Sequence, residues 1–307
     1  MSNKKIYGLI GFPVKHSLSK IMHNSAFSFL NINAEYRLFE IRPQELEDFL
    51  LNPNKIVFDI EGNKVYSKDI LGFNVTIPHK IMVKEILEKN SLILNLKDLK
   101  DLNIVGAINT VSRLNNNKFN CYNTDIYGFS VSLKKDLKFN IKKDTEVFIL
   151  GCGGAARAVI YSLCYSKRVC PKKIYIFDIN QNAFLNFIEY LRKINENKIY
   201  KTIEFVSKKD FQFILKRCGL FVNASPIGMK NDRGMFIKKS FLHNRLKIFD
   251  LVYNRETKLI KYAKSLGLKF TDGKNMLLYQ AAKAFEIWTK KRAPVNIMRK
   301  ALEDAFN

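Results

Sequence analysis

One lysine lies where it could act as an acid/base catalyst. In the stretch GFNVTIPHK, apolar and polar residues alternate from 73 to 77, a pattern typical of a short β-strand. Pro78 is expected to end this strand and to open a helix at its first position, which places Lys80 in the first helical turn. The positive end of the helix dipole disfavours an ammonium there. An amine that releases its proton readily suits the interconversion of an alcohol and a ketone. The alternative is that Lys80, Lys84 and Glu88 form a solvated stripe at helical spacing.

Other polar residues stand at the starts of predicted helices or on an apolar face. In YNTDIYG, Asp125 lies at the mouth of a helix, and the local pattern predicts that it is the N-cap. Ser17 or Ser19 of HSLS is expected to cap an earlier helix. Gln280 falls on the apolar stripe of a helix near the C-terminus. It must therefore either be hydrogen-bonded inside the core or face a polar ligand.

A glycine-rich motif follows a strand that is apolar throughout. The run TEVFIL is typical of a strand of a parallel sheet, and GCGGAARAV comes directly after it. Gly151, Gly153 and Ala156 match the G-x-G-x-x-A pattern between a strand and a helix. Gly151 permits the tight turn and Gly153 lets the backbone approach a pyrophosphate. The amides that open the helix, at Gly154 and Ala155, would face that anion. A glycine turn without a ligand is the alternative.

The next strand, in KKIYIFDIN, ends at Asp178. This residue lies 178 − 151 = 27 positions after the first glycine, so the connection around residues 167–171 is expected to be extended. A carboxylate here can accept both hydroxyls of an adenosine ribose and would repel a 2′-phosphate. Ile179 and Asn180 follow in place of an arginine. The pattern favours NAD over NADP, unless Asp178 merely caps the next helix.

Length and composition indicate an ordinary globular chain of about two domains, because 307 residues exceed one typical domain and 47% are hydrophobic. No apolar run approaches the roughly 18 residues of a membrane span, and the N-terminus lacks a signal-peptide pattern, so a cytoplasmic protein is expected. The five cysteines are irregularly spaced and match neither a zinc site nor a disulfide framework.

The net charge of +24 would suit a nucleic-acid-binding protein. However, the lysines occur as scattered pairs and form no dense tract, which is more typical of solvated faces. Compositional drift of the surface explains this pattern, and an anionic substrate and cofactor would tolerate it. Strand and helix patterns alternate along both halves of the chain, which predicts the α/β class.

Seven motifs occur together in the order and spacing of one enzyme family. The chain resembles the shikimate dehydrogenase family over nearly its whole length through HSLS, GFNVTIPHK, GAINTV, NTDIYG, GCGGAAR, NASPIGM and GKNMLLYQAAKAF. The resemblance implies two domains: a substrate-binding and catalytic domain over residues 1–125 and a Rossmann dinucleotide-binding domain over 126–273. Helices over 274–307 would return to the first domain. The implied partner is a small-molecule substrate, with no metal, nucleic acid or membrane, in a monomer or homodimer.

The resemblance also implies roles for individual residues. Lys80 and Asp125 match the pair that transfers the proton. The residues that match substrate contacts are Ser17, Ser19, Asn74, Thr76, Asn109, Asp125, Tyr253 and Gln280. The residues that match cofactor contacts are Gly151, Gly153, Gly154, Ala155, Asp178, Gly273 and Met276.

The implied reaction is reversible hydride transfer between a nicotinamide cofactor and 3-dehydroshikimate or shikimate, in aromatic amino-acid precursor metabolism. The pair 3-dehydroquinate and quinate is an alternative substrate. Members that use NADP typically show Asn-Arg-Thr where this chain has Asp178, Ile179 and Asn180, so the match moves toward the NAD-using quinate/shikimate branch. Lys20 after HSLS, and NRET after Tyr253, each replace a usual proline. Two alternatives stay open: a non-catalytic cofactor-binding regulator of the same fold and a basic nucleic-acid-binding protein.

Overall fold

The computed structural model describes residues 4–94, 100–165, 169–230 and 237–306. Within these residues the chain divides into two compact units. The first unit takes its residues from 1–124 and 278–307, and the second from 125–277. Of the connection predicted to be extended, residues 166–168 lie outside the described part of the chain.

The first unit contains, up to residue 124, strands β1 (Lys5–Gly11), β2 (Ala34–Glu40), β3 (Ile56–Phe58), β4 (Lys64–Tyr66), β5 (Ile70–Val75), β6 (Thr110–Arg113) and β7 (Phe119–Tyr122), with helices α1 (Ser19–Phe29), α2 (Leu46–Leu51), α3 (Lys80–Lys89) and α4 (Lys100–Val105). The second unit contains strands β8 (Glu146–Leu150), β9 (Lys173–Phe177), β10 (Ile203–Phe205), β11 (Leu220–Asn223), β12 (Lys247–Asp250) and β13 (Phe270–Thr271), with helices α5 (Asp125–Lys135), α6 (Gly154–Tyr165), α7 (Gln181–Lys193), α8 (Asn197–Thr202), α9 (Phe211–Leu215) and α10 (Lys258–Ser265). The chain continues through α11 (Lys274–Thr289) and α12 (Val295–Asp304).

The sheet of the first unit has the strand order β2-β1-β5-β6-β7. Strands β2, β1 and β5 run parallel, whereas β6 and β7 are antiparallel to their neighbours. This mixed register places Asn74 of β5 opposite Thr110 of β6. Because side chains alternate between the faces of a strand, the pairing brings these two polar groups to the same face.

One face of this sheet is covered from the C-terminal end of the chain. A Cβ atom added to Gly72 would overlap the indole ring of Trp288 in α11. The indole nitrogen of Trp288 donates to the carbonyl oxygen of Val111 over 2.9 Å, and the ring stacks on Tyr7 with centroids 5.2 Å apart. The small residue on β5 therefore makes room for a large aromatic that joins α11 to the core of the first unit.

The opposite face of the sheet packs on the helices between β2 and β6. Its apolar core includes Phe39, Phe49, Phe73, Val83, Leu87, Leu102 and Phe119, each of which is buried. Alternating apolar residues on the strands and the apolar sides of α2, α3 and α4 supply this core.

The sheet of the second unit has the strand order β10-β9-β8-β11-β12-β13, and all of its strand pairs are parallel. Numbered within the unit, this is the 3-2-1-4-5-6 order of a Rossmann fold. All five residues of the central strand β8 are buried, as the apolar run TEVFIL predicted. The predicted α/β class, with a Rossmann fold in the second half of the chain, is confirmed.

Two predicted helix starts are wrong. Helix α3 begins at Lys80 with His79 as its N-cap, so Pro78 precedes the helix. The reason is a turn in which the amide of His79 donates to the carbonyl oxygen of Thr76 over 2.9 Å, which delays the helix by two residues. At α1 the N-cap is Leu18, and no side chain caps it.

The predicted N-cap of helix α5 is also wrong. The local pattern predicted that Asp125 is the N-cap, but Asp125 is the first residue of α5 itself. The preceding residue, Thr124, is held by a hydrogen bond from its amide to the side-chain oxygen of Asn109 over 2.6 Å. This contact within the first unit fixes the chain just before the helix starts. Across the described ranges, no helix is long and apolar enough to cross a lipid bilayer.

Candidate functional site

A cluster of buried amide and hydroxyl groups lies at the edge where β5 ends and β6 begins. We call Asn74, Asn109, Thr110, Thr124 and Gln280 the polar cluster. Its members come from β5, the loop before β6, β6 itself, the residue before α5, and α11. Each is at most 8% exposed. Buried polar groups of this kind need hydrogen-bonding partners, and here they supply them to one another.

The hydrogen bonds of the polar cluster centre on Asn109. Its side-chain oxygen accepts from the amide of Thr124 over 2.6 Å and from the hydroxyl of Thr110 over 3.0 Å. The amide group of Asn74 donates to the Thr110 hydroxyl over 2.9 Å. The hydroxyl of Thr124 lies 3.3 Å from the side-chain oxygen of Gln280. Of the two alternatives for Gln280, the structure shows the first, a hydrogen bond inside the core.

Tyr36 extends the polar cluster and was missed by the sequence reasoning. Its hydroxyl donates to the side-chain oxygen of Asn74 over 2.8 Å. Tyr36 lies on β2, which the sheet order separates from β5 by one strand, so no sequence spacing indicates the contact. The ring of His23 stacks on Tyr36 with centroids 4.3 Å apart. Burial lowers the pKa of His23 to about 3, which keeps this ring neutral and the stack apolar.

Lys80 is half-buried at the start of α3, and its backbone is tied to the polar cluster. The carbonyl oxygen of Lys80 accepts from the amide of Ile108, the residue before Asn109, over 2.8 Å. The preceding residue, His79, is buried and its Nε2 lies 2.6 Å from the carbonyl oxygen of Ile41. Since a carbonyl can only accept, Nε2 carries the proton. These contacts fix the start of α3 and with it the Cα of Lys80.

The remaining predicted substrate residues of the first unit lie in the loops after β1 and β5. Ser19 is buried at the start of α1 and Ser17 is half-buried just before it. The Ser17 hydroxyl oxygen accepts from the amide of Ser19 over 3.3 Å. Thr76 is half-buried, and its amide donates to the carbonyl oxygen of Ile10 over 2.9 Å. Both loops thus follow the carboxyl ends of adjacent parallel strands, the edge at which such sheets bind ligands.

The glycine-rich loop of the second unit joins β8 to α6, at the point where the strand order reverses. Gly151 has φ +104°, and an added Cβ would meet the carbonyl oxygen of Ala224 at 2.9 Å. A Cβ on Gly153 would meet nothing within 4 Å. Gly154 and Ala155 are the first residues of α6. The open space at Gly153 and the bare amides of the helix start fit the pyrophosphate of a dinucleotide.

Asp178 follows β9 and is bonded to the glycine-rich loop. Its Oδ2 accepts from the amide of Cys152 over 2.7 Å, and its Oδ1 accepts from the amide of Asn180 over 2.8 Å. Asn180 is the residue that caps α7, by accepting from the amide of Asn182 over 3.1 Å. The alternative that Asp178 caps this helix is therefore wrong. Each carboxylate oxygen keeps a further lone pair, and the half-buried side chain could accept the hydroxyls of a ribose.

A buried aspartate organises the loop that carries Tyr253, and the sequence reasoning did not single it out. Asp250 ends β12 and accepts from the Asn223 side-chain amide over 2.8 Å, from the Val252 amide over 3.1 Å and from the Thr257 hydroxyl over 2.6 Å. Burial raises the pKa of Asp250 to about 6. Its position at the end of a parallel strand was the available signal. Tyr253 itself is half-buried in this loop.

The other predicted nicotinamide-side residues lie at the start of α11. A Cβ on Gly273 would overlap the carbonyl group of Leu251, so only glycine fits there without a shift of the backbone. The amide of Gly273 donates to the carbonyl oxygen of Val252 over 3.2 Å. Met276 is buried one turn later. In the part of the chain that the structure describes, no group of three or more His, Cys, Asp or Glu is placed to hold a metal ion.

Comparisons with known proteins agree with this arrangement. The model of the shikimate dehydrogenase substrate binding domain matches residues 9–111, and that of the shikimate 5′-dehydrogenase C-terminal domain matches residues 273–303. The shikimate dehydrogenase (NADP(+)) of Methanocaldococcus jannaschii is 34% identical over 98% of this chain and 96% of its own.

Solved structures are similar over the same span. The shikimate dehydrogenase of Aquifex aeolicus matches with a TM-score of 0.77 and 30% identity, covering 99% of this chain and 100% of its own. The shikimate 5-dehydrogenase of Listeria monocytogenes, in complex with shikimate and NAD, matches with a TM-score of 0.75 and 28% identity. The match covers 97% of this chain and 96% of the Listeria chain. By its full-length identity to curated members, the chain belongs to the shikimate dehydrogenase family.

Proposed function

We propose that this chain catalyses reversible hydride transfer between a nicotinamide cofactor and the pair 3-dehydroshikimate and shikimate. The observation that carries the proposal is identity of 34% over nearly the full length of a curated shikimate dehydrogenase. The polar cluster, which gathers three of the predicted substrate residues in the first unit, supports it. None of the relatives named above is described as a regulator or as a nucleic-acid-binding protein.

The substrate side of the proposal rests on matching hydrogen-bonding groups. Shikimate carries ring hydroxyls, which both donate and accept, and amide side chains offer both roles within one group. We assign the ring hydroxyls to Asn74, Asn109 and Gln280, with Thr76 beside them. The bonds inside the polar cluster hold Asn74 and Asn109 in one orientation before substrate arrives, which supports this assignment because preorganised groups lose little entropy on binding.

The substrate carboxylate needs donors at a separate point. We assign it to the hydroxyls of Ser17 and Ser19, which adjoin at the start of α1. The positive end of the helix dipole also favours an anion at this point. We also assign Tyr253, on the loop that Asp250 holds, to the substrate.

For the proton, we assign Lys80 and Asp125. The cofactor, when bound, supplies or accepts the hydride at the carbon that carries the reacting oxygen. Reduction of the ketone leaves negative charge on that oxygen, and the Lys80 ammonium would stabilise the charge and give up a proton to it. In the oxidation direction the Lys80 amine takes the proton back. Asp125 would orient the substrate hydroxyl and hold the Lys80 side chain.

For the cofactor, we assign the pyrophosphate to Gly151, Gly153, Gly154 and Ala155. Gly273 and Met276 would lie beside the nicotinamide. The Asp178 carboxylate favours a ribose with free hydroxyls over a 2′-phosphate, so we propose a preference for NAD, although the M. jannaschii relative is named for NADP(+). We accordingly propose residues 1–125 as the substrate-binding and catalytic domain, 126–273 as the cofactor domain, and 274–307 as helices of the first.

We further infer a cytoplasmic protein, present as a monomer or homodimer. The five free cysteines support a reducing compartment. Size-exclusion chromatography with light scattering would distinguish the two states.

The test of the proposed function is an absorbance assay at about 340 nm, the wavelength at which the reduced nicotinamide absorbs, with each acid and each cofactor. We expect turnover of shikimate, with the larger kcat/KM for NAD. A protein that turned over neither shikimate nor quinate with either cofactor would contradict the proposal. Turnover of quinate alone would move the substrate assignment to that pair and leave the assigned proton transfer unchanged.

A further inference from the structure

Two cysteines of the second unit lie side by side away from the glycine-rich loop. Cys164 is buried in the last turn of α6, and Cys170 is half-buried in the connection that leads to β9. Their thiols are hydrogen-bonded to each other. The two residues are six positions apart in the chain, and neither takes part in the proposed hydride transfer.

A lysine and a threonine from α8 complete the surroundings of this pair. The Lys198 ammonium donates to the carbonyl oxygen of Cys164 over 2.5 Å and lies 4.2 Å from the ring centroid of Tyr165. The Thr202 hydroxyl is 3.6 Å from the Cys170 sulfur and also donates to the Lys198 carbonyl over 2.7 Å. The carboxylate of Glu196 accepts a hydrogen bond from the Tyr165 hydroxyl over 2.7 Å.

These neighbours give the two thiols different chemistry. The hydrogen bond from Cys164, the Thr202 hydroxyl and the Lys198 charge lower the pKa of Cys170 to about 6. Burial and the same sulfur–sulfur hydrogen bond raise the pKa of Cys164. These opposite shifts favour the thiolate at the half-buried Cys170 and the protonated thiol at the buried Cys164. When a nucleophilic thiolate lies next to a second thiol, oxidation of the first can lead to a disulfide between the two.

The other three cysteines lack these features. Cys121, Cys152 and Cys218 are buried, and burial raises the pKa of each thiol. The chain thus contains internal controls of the same residue type.

We propose that Cys164 and Cys170 form a peroxide-reactive dithiol that closes to an intramolecular disulfide. The Cys170 thiolate attacks one oxygen of hydrogen peroxide: an S–O bond forms, the O–O bond breaks, and the departing hydroxide takes up a proton as water. The Cys164 thiol then loses its proton, and its sulfur displaces the hydroxyl group of the Cys170 sulfenic acid, which leaves as water. Two thiols are oxidised and one peroxide is reduced to two waters. A dithiol reductant reverses the reaction by exchange.

The experiment treats the intact, full-length protein with about one equivalent of hydrogen peroxide at pH 7 and then alkylates it without reduction. We expect two of the five thiols to become protected, the intact mass to fall by about 2 Da, and proteolysis to yield one peptide pair joined through Cys164 and Cys170. Dithiothreitol should restore both thiols. Protection spread over several cysteines, or no protection while free peroxide is consumed, would overturn the proposal.

Three variants assign the steps. Cys164→Ser keeps a hydroxyl that can donate to the Cys170 sulfur, so the variant should stop at a sulfenic acid on Cys170 that dimedone traps. Cys170→Ser should abolish the mass loss and slow peroxide consumption by at least about 10-fold. Cys218→Ser is the matched control, since its hydroxyl can also donate to the carbonyl oxygen of Ile214, and it should form the disulfide as the wild type does. If either Ser variant at the pair does not fold, the peptide mapping of the wild type decides the question alone.

Discussion

Asn74 and Thr110 face each other across β5 and β6, and the amide group of Asn74 donates to the Thr110 hydroxyl over 2.9 Å. The same hydroxyl donates to Asn109, so Thr110 orients both asparagines proposed to bind substrate. We expect Thr110→Val to lower the free energy of unfolding by about 1–3 kcal/mol, because buried polar groups lose a partner. The KM for shikimate should rise by roughly 10-fold, since two ligand groups lose their fixed orientation. Urea unfolding and steady-state kinetics measure the two effects.

The control for this variant is Ser112→Ala, two residues along the same strand, which should leave KM within about two-fold of wild type. An unchanged KM in Thr110→Val, with the loss of stability present, would show that the polar cluster supports the fold and not the substrate.

Replacement of Lys80 tests the proposed proton transfer. We expect Lys80→Ala to lower kcat by about 100-fold to 10,000-fold, the usual contribution of a general acid, with KM changed far less. Lys89→Ala is the matched control, because Lys89 is an exposed residue in the last turn of the same helix. Near-normal turnover in Lys80→Ala would refute the assignment.

Gly153 allows cofactor binding to be tested apart from stability. A Cβ there meets no protein atom within 4 Å, so Gly153→Ala should keep the melting temperature of the wild type. If a pyrophosphate packs on this residue, the added methyl should weaken nucleotide affinity by about 10-fold or more, measured by calorimetry.

Gly219→Ala provides the matched control for that variant. Gly219 precedes β11 at the opposite end of the same sheet, and a Cβ there would make only an ordinary contact with Phe139. Its nucleotide affinity should equal that of wild type. Equal affinity in Gly153→Ala as well would place the dinucleotide elsewhere.

Asp178 is predicted to set the choice of cofactor. Replacement by Asn removes the charge that would repel a 2′-phosphate, so the ratio of kcat/KM for NADP over that for NAD should rise by about 10-fold or more in Asp178→Asn. Since Asp178 also accepts from the Cys152 amide, the melting temperature must be measured alongside. Asp144→Asn, an exposed carboxylate of the same unit, should leave the ratio unchanged. A preference of the wild-type enzyme for NADP would contradict the proposed role of Asp178 in cofactor choice.

His23 makes stability depend on pH. Its pKa is about 3 in the folded protein and near 6.5 when unfolded, so only the unfolded chain takes up the proton between these values. The contribution of His23 is fully present above about pH 6.5 and is lost as pH falls, at about 1.4 kcal/mol per pH unit. The slope of unfolding free energy against pH can be measured by urea unfolding at several pH values. It should be reduced in His23→Phe, which keeps an aromatic ring against Tyr36. It should be retained in His16→Gln, the control at an exposed histidine. Equal slopes in wild type and His23→Phe would contradict the prediction.

The sequence predicted those parts of the fold that depend on neighbours in the chain. The glycine-rich loop between β8 and α6 was recognisable because the turn, the apolar strand and the helix start are contiguous. The position of Asp178 at a strand end followed from the same local pattern. The helix starts at Pro78 and Ser17 were mispredicted because turns in the backbone, such as that from Thr76 to His79, decide where a helix can begin.

The contacts that the sequence did not predict connect strands that are distant in the chain. Tyr36 of β2 reaches Asn74 of β5 across the intervening strand β1. The order of strands in a sheet cannot be predicted from the residues of one strand. The role of Asp250 depends on Asn223 at the end of β11 and on Thr257 at the start of α10. Spacing along one segment carries no information on either meeting.

The indole of Trp288 has a consequence for the order in which this protein can be made. The ring occupies the space beside Gly72 that a Cβ atom would need, and residues 278–307 belong to the first unit. During synthesis, the first 124 residues therefore cannot complete this face of their sheet until residues 278–307 have left the ribosome. The second unit has no such delay beyond its own last strand, so it is the one that can complete its folding first.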